Sequence, residues 1–138
     1  MSKADTVQKL TCIEGFCGAG GMSLGLKQAG FDIKLAFDIN EDAVKTYNNN
    51  LGGHCLQLDA SVISGKFLLD KAGINSRLDL FSGGPPCQGF SKQRKGAHLL
   101  NDERNKLVLE YSRLVNELNP GLFCLKMSKF LDKREDRI

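Results

Sequence analysis

The sequence predicts an α/β fold built on a mainly parallel sheet. Short apolar runs alternate with segments of helical periodicity, and the chain contains no repeat, low-complexity tract or linker. Its 138 residues make one small domain with room for a real core. Strands that alternate with helices imply right-handed βαβ units and therefore parallel pairing.

The elements follow in order. Leu10 to Phe16, LTCIEGF, reads as a buried strand that runs into the glycine-rich turn CGAGG. An amphipathic helix from Met22 to Gln28 follows and is closed by Gly30. Phe31 to Asp38 is a second strand ending on an acid, and Asn40 caps a helix through about Asn48, broken by LGG. His54 to Asp59 is a short third strand, again ending on an acid, with a short helix near Val62 to Ala72 after it. RLDLFSG, Arg77 to Gly83, is a fourth strand that feeds the loop GGPPCQGFSKQRKG. From Asn101 to Asn119 runs the clearest helix, with Leu107, Val108, Tyr111, Leu114, Val115 and Leu118 on one face. Asp102 and Glu103 suit its positive N-terminus, Pro120 follows its end, and GLFCL reads as a fifth strand.

Composition narrows the function. Apolar residues make up 41% and charged residues 25% of the chain, ordinary values for a soluble globular protein. No apolar run approaches the roughly 20 residues that span a membrane. MSKADTVQKL lacks the apolar core of a signal peptide. The five cysteines are odd in number and scattered, and none forms Cys-x-x-Cys, which points to a reducing cytoplasm without disulfide framework or metal site. The net charge of +3 permits an anionic partner without demanding one.

In parallel sheets ligands bind at the carboxyl ends of the strands. The glycine turn, Asp38, Asp59 and Cys87 all fall at such ends. The turn gives Gly18-x-Gly20 with Gly21 next, but Ser23 stands at the third position of a dinucleotide fingerprint, and no Lys-Ser/Thr follows for a triphosphate. On the glycines alone, a tight turn without a ligand and a turn that exposes helix N–H groups to a carboxylate are equal readings. A carboxylate ending the second strand suits ribose hydroxyls, and one ending the third can accept from an exocyclic amine. Each acid alone also reads as a helix cap or surface charge. Together with the turn they outline a nucleoside with a small carboxylate tail and no pyrophosphate, the shape of S-adenosylmethionine. Cys87 follows two prolines, which rule out a regular helix or central strand there. It is either a small buried hydrophobe or a positioned nucleophile.

At these positions the chain resembles the cytosine-5 DNA methyltransferases of bacterial restriction-modification systems. FCGAGGMSLG from Phe16 to Gly25 matches their Phe-x-Gly-x-Gly-Gly-x-Ser-x-Gly turn. PCQGFS from Pro86 to Ser91 matches their catalytic loop, and Asp102, Arg104 and Leu107 match Asp-x-Arg-x-x-Leu at the start of the next helix. The resemblance implies a Rossmann-like S-adenosylmethionine-dependent fold, with a cofactor and catalytic subdomain over 1–125 that stops after about five strands. It implies that Phe16 packs on adenine, that Gly18, Ala19, Gly20 and Gly21 line the methionine end, and that Ile39 and Ala60 flank the adenine. Asp38 takes the ribose and Asp59 the adenine amine, with Gly84 and Pro86 beside the cofactor. Cys87 becomes the nucleophile, and double-stranded DNA the partner.

The chemistry explains the cysteine. Carbon 5 of cytosine is too electron-poor to accept a methyl group unaided. A thiolate adding at carbon 6 makes carbon 5 nucleophilic, and later loss of the carbon-5 proton expels the thiolate. The prolines fix the approach. The base must be flipped from the duplex to be reached. Gln88, Ser91, Lys92, Arg94 and Lys95 of the loop, and Arg104 beyond it, are the candidate DNA contacts; a solvated basic loop is the plain alternative.

The resemblance breaks at Lys126. The family follows its fifth strand with Phe-x-x-Glu-Asn-Val, whose glutamate contacts the flipped cytosine; here Phe123 leads to Lys126 and Met127. The family's arginine motif, target-recognition region and C-terminal helix have no counterpart before Ile138. The segment 126–138 therefore reads as an aberrant polar tail. Lys-Met-Ser-Lys can be encoded AAA ATG TCA AAG, and one G restored before it gives Glu-Asn-Val-Lys, so a frameshift accounts for the tail. A separate chain carrying the recognition region is the alternative. So are a fragment that only binds S-adenosylmethionine and a tRNA cytosine-5 methyltransferase; Gly89-Phe90-Ser91 looks more like the DNA enzymes.

Overall fold

The computed structural model describes residues 7–86 and 105–127. The elements alternate as expected: β1 (Thr11–Gly15), α1 (Gly21–Gln28), β2 (Asp32–Asp38), α2 (Glu41–Leu51), β3 (Cys55–Gln57), α3 (Gly65–Ala72), β4 (Leu80–Gly83), α4 (Lys106–Leu118) and β5 (Leu122–Leu125). The strands form one sheet in the order β3-β2-β1-β4-β5. Every neighbouring pair is parallel. The chain winds outward from β1 to β3, then crosses back to lay β4 on the other side of β1. The order reverses between β1 and β4, and the carboxyl ends of those strands open on a natural crevice.

Two helical layers cover the sheet. On one face Ile13, Leu35, Phe37 and Phe81 pack with Leu68 of α3 and Tyr111, Leu114 and Leu118 of α4. On the other, Cys12, Ile33 and Leu80 meet Leu26 of α1, and Ala36 and Cys55 meet Val44, Tyr47 and Leu51 of α2. Phe81 and Tyr111 stack at 4.7 Å with 15° between ring planes. Such a pair contributes about 0.5–1.5 kcal/mol beyond its area. Strict alternation along β2 would place Ile33 beside Leu35. A register shift between Cys12 and Ile13 leaves Lys34 without an opposite residue and turns Ile33 to the face of Cys12.

Several boundaries move for identifiable reasons. Helix α3 begins at Gly65 rather than near Val62, because the Ser64 hydroxyl accepts from Phe67 N–H at 3.0 Å and caps it. Helix α2 continues to Leu51, whose side chain packs against the Tyr47 cluster, and stops at Gly52 with φ 105°. Strand β3 ends at Gln57, two residues short of Asp59. Strand β4 begins at Leu80, because the Asp79 carboxylate instead accepts from Thr11 N–H at 2.8 Å and Thr11 Oγ1 at 3.1 Å. The expected start of the last helix at Asn101 lies outside the described residues, as does most of the tail from Lys126.

Candidate functional site

The site begins where β1 stops. Phe16 turns the chain at φ 52°, a left-handed conformation rare for an aromatic residue, and Gly18 follows at φ 55°. The turn is anchored by Cys17 N–H donating to Phe37 O at 3.1 Å and Gly18 N–H donating to Asp38 Oδ2 at 2.9 Å. Gly20, at φ 101°, is the N-cap of α1. A Cβ there would lie 2.4 Å from Leu51 Cδ1 and 2.8 Å from Tyr47 Cδ2, so both conformation and space require glycine.

The two acids are oriented by backbone N–H groups and, at Asp59, by the Ser61 hydroxyl as well. Asp38 accepts Gly18 N–H on one oxygen and Asn40 N–H on the other, each at 2.9 Å. A carboxylate oxygen has two lone pairs, so each can still accept from a ligand hydroxyl. Asp59 Oδ1 accepts from Ser61 Oγ at 2.6 Å and Ser61 N–H at 2.9 Å. The hydroxyl and then the amide hold its carboxyl below the ordinary range, so Asp59 is an anion at neutral pH.

These groups surround a cleft of about 310 Å³ at the carboxyl ends of the strands. Phe16, Gly18, Asp38, Ile39, Asp59, Ala60, Gly84 and Pro86 line it, joined by Phe37, Leu58 and Leu107. Its wall is apolar apart from the two acids and the turn backbone, the lining that suits a flat heteroaromatic ring with a polyhydroxylated sugar. Ala19, Gly20 and Gly21 do not line it; Gly20 instead faces α2. Sequence reasoning missed Phe37 and Leu58, although each immediately precedes a chosen acid. Leu107 had been assigned to an apolar helix face. Cys87, Gln88, Ser91, Lys92, Arg94, Lys95 and Arg104 lie outside the described residues; Pro86, the last residue before Cys87, is on the cleft wall.

Neighbouring groups brace the rim. Arg113 of α4 donates to Ala60 O at 2.8 Å and to Glu110 at 2.6 Å, and it also pairs with Glu117. Glu117 in turn accepts from Gly65 N–H at the start of α3. Lys126 N–H donates to Gly83 O at 2.8 Å, which sets its side chain beside Gly84. The position that differs from the family pattern therefore stands at the cleft's edge. Beneath the turn, Ser23 donates to the buried Glu14, Tyr47 Oη donates to Ser23 at 2.8 Å, and Tyr47 Oη meets His54 Nε2 at 2.8 Å. Burial pushes the Glu14 carboxyl up to about 7. Burial, followed by Lys27, pushes His54 below its ordinary value. A second cavity of about 330 Å³ opens beside His54 between Lys9, Lys27 and Asp32, away from the strand-end acids. Among the described residues no cluster of three or more His, Cys, Asp or Glu side chains is placed to hold a metal ion. Nor is any helix there long and apolar enough to cross a membrane.

The five-stranded all-parallel α/β sheet, with its glycine turn and an apolar cleft at the strand ends, is the architecture of methyltransferase structures. The family model for C-5 cytosine-specific DNA methylases matches residues 10–137, and the chain belongs to that family. It is 43% identical over 122 residues to type II methyltransferase M.XorII of Xanthomonas oryzae pv. oryzae, covering 86% of this chain and 28% of the relative. It is 42% identical over 120 residues to M1.HphI of Haemophilus parahaemolyticus, covering 85% and 32%. The structure assigned as a prophage-encoded DNA modification methyltransferase of E. coli superposes with a TM-score of 0.74 at 34% identity, over 92% of this chain and 34% of that one. The chain thus spans about a third of the length of these relatives and corresponds to their N-terminal part.

Proposed function

We propose that this chain is the cofactor-binding and nucleophile-bearing part of a DNA cytosine-5 methyltransferase that uses S-adenosylmethionine. The observation that carries the reading is the convergence of Phe16, Gly18, Asp38, Asp59 and Pro86 on one cleft. Bound S-adenosylmethionine would supply an electrophilic methyl group. Phe16, Ile39 and Ala60 would hold its adenine. Asp38 would accept the ribose hydroxyls on the lone pairs that Gly18 and Asn40 leave free. Asp59 would accept the exocyclic amine on the oxygen that Ser61 does not use. Cys87, one residue beyond the cleft wall, would add as thiolate to carbon 6 of a flipped cytosine and leave once carbon 5 has been methylated and deprotonated. Gln88, Ser91, Lys92, Arg94, Lys95 and Arg104 would hold the DNA backbone.

Methylation by the chain alone is a separate matter. Lys126 is a cation that cannot accept hydrogen bonds from the base where the family has a glutamate. Losing one such group costs about 10²–10³ in rate. The reading therefore includes a further polypeptide that carries target recognition, supplied by a partner chain or by the restored reading frame beyond Lys126. Calorimetric titration with S-adenosylmethionine should give saturable binding that Asp38→Ala abolishes and Cys87→Ala leaves unchanged. Transfer of labelled methyl groups to mixed-sequence DNA should stay at background for the single chain. No cofactor binding would overturn the proposal, and Cys87-dependent methylation by the single chain would overturn the need for a further polypeptide.

A further inference from the structure

Cys17 and Cys55 lie 38 residues apart in the chain, yet their Sγ atoms stand 3.4 Å from each other inside the protein. They are 6% and 3% exposed, in the small cluster that also holds Ala36 and Tyr47. Their contact is imposed by the scaffold. Cys55 sits in β3 and is clamped on both sides by Asn48, whose amide donates to its carbonyl and accepts its N–H, each at 2.9 Å. Cys17 sits in the turn between Phe16 and Gly18, both at positive φ, and its own carbonyl accepts Gly20 N–H at 3.1 Å.

An S–S bond is about 2.05 Å long. Joining the two sulfurs therefore draws them well inside their present contact. Cys55 is fixed in the sheet, so the displacement falls on the turn. The next residue, Gly18, contributes the N–H that orients Asp38 and lines the cleft. A bond at Cys17 is thus mechanically connected to the carboxylate that the proposed function assigns to the ribose.

We propose that Cys17 and Cys55 form an oxidation site: hydrogen peroxide converts them to a disulfide, and the disulfide weakens S-adenosylmethionine binding by shifting Gly18 against Asp38. The site is closed to large oxidants by its burial, and peroxide is close to water in size. The chemistry balances. The Cys55 thiolate attacks the O–O bond, forming a sulfenic acid and releasing one hydroxide, which takes up a proton to become water. The Cys17 sulfur then attacks the sulfenic sulfur; the S–S bond forms, the S–O bond breaks and a second water leaves. The two thiols lose two hydrogens and the peroxide is reduced to two waters. The reverse order, with Cys17 attacking first, balances identically, because either sulfur can donate the hydrogen bond between them.

The second half of the proposal rests on the cofactor reading, and the test separates the two. The purified full chain is treated with hydrogen peroxide, residual thiols are alkylated, and the digest is mapped by mass spectrometry. S-adenosylmethionine affinity is measured before treatment, after it and after dithiothreitol. The expected result is a Cys17–Cys55 linked peptide lighter by two hydrogens, an affinity about tenfold weaker, and recovery on reduction. Cys55→Ala should keep its affinity in peroxide, and Cys55→Ser serves if the alanine variant does not fold. Cys17 or Cys55 still free to alkylate, or linked to another cysteine, overturns the oxidation site. A Cys17–Cys55 link with unchanged affinity overturns its coupling to the cleft. Absence of cofactor binding in the reduced protein refutes the cofactor reading, while the peptide map still decides the thiol pair.

Discussion

Strands β4 and β5 lie side by side in register, Leu80 against Leu122 and Phe81 against Phe123. Both begin Leu-Phe, yet Leu80 and Phe81 are 4% and 0% exposed while Leu122 and Phe123 are 66% and 56% exposed. Residue type does not separate them. Strand β4 has β1 on its far side and Tyr111 stacked on Phe81. Among the described residues, strand β5 pairs with β4 alone and is the edge of the sheet. Burial is conferred by the number of layers and neighbours that reach a strand; of β5 only Leu125 packs against the core cluster, and Leu122 and Phe123 face outward. The same sheet thus has a finished centre, which carries the cleft, and an open apolar edge.

Paired truncations break the comparison most sharply. Phe81→Ala should cost about 3–5 kcal/mol in chemical denaturation, as for other buried aromatics. Phe123→Ala, one strand away, should stay within about 0.5 kcal/mol. Equal losses would mean that β5 is covered in solution. Hydrogen exchange reads the same contrast without mutation: amides of β1 should exchange last and those of β5 among the first.

A second test contrasts acids of the centre and the rim. Glu14 is 2% exposed and its carboxyl is raised from 4.5 to about 7 by burial. Between those values the unfolded chain releases the proton that the native state keeps, so stability falls as pH rises and the full penalty is present above about 7. Glu14→Gln should therefore stabilise the protein at pH 8 by up to about 3 kcal/mol and make little difference at pH 4.5. Asp59 at the rim has the opposite sign: its carboxyl is lowered, so its contribution is present at neutral pH and is lost on acidification. Thermal melts across pH for Glu14→Gln and Asp59→Asn separate the two; a destabilised Glu14→Gln at pH 8 would show that the buried carboxylate is net favourable.

The smallest expected effect concerns the seam. Tyr111 Oη donates to Cys124 O at 2.8 Å and Phe81 O at 3.2 Å, joining α4 to both strands. Tyr111→Phe keeps the ring stack and removes those bonds, which should cost about 1 kcal/mol. Exchange should quicken in β5 and not in β1; uniform quickening would mean that the hydroxyl supports the whole core.

Element order, parallel pairing and the turn from Phe16 to Gly25 were readable from the chain alone, because apolar periodicity and glycine at strained positions are local properties. So was the nearness of Asp38 and Asp59, which line one cleft because parallel strands deliver their carboxyl ends to one edge. Boundaries slipped where a side chain outranked propensity, as Ser64 does at α3 and Asp79 at β4. The poor protection of the fifth strand was already expected from the resemblance, whereas the bulge at Lys34, the entry of Leu107 into the cleft and the meeting of Cys17 with Cys55 were decided only by packing. Each depends on groups distant in sequence being brought together by layers whose spacing no local pattern records.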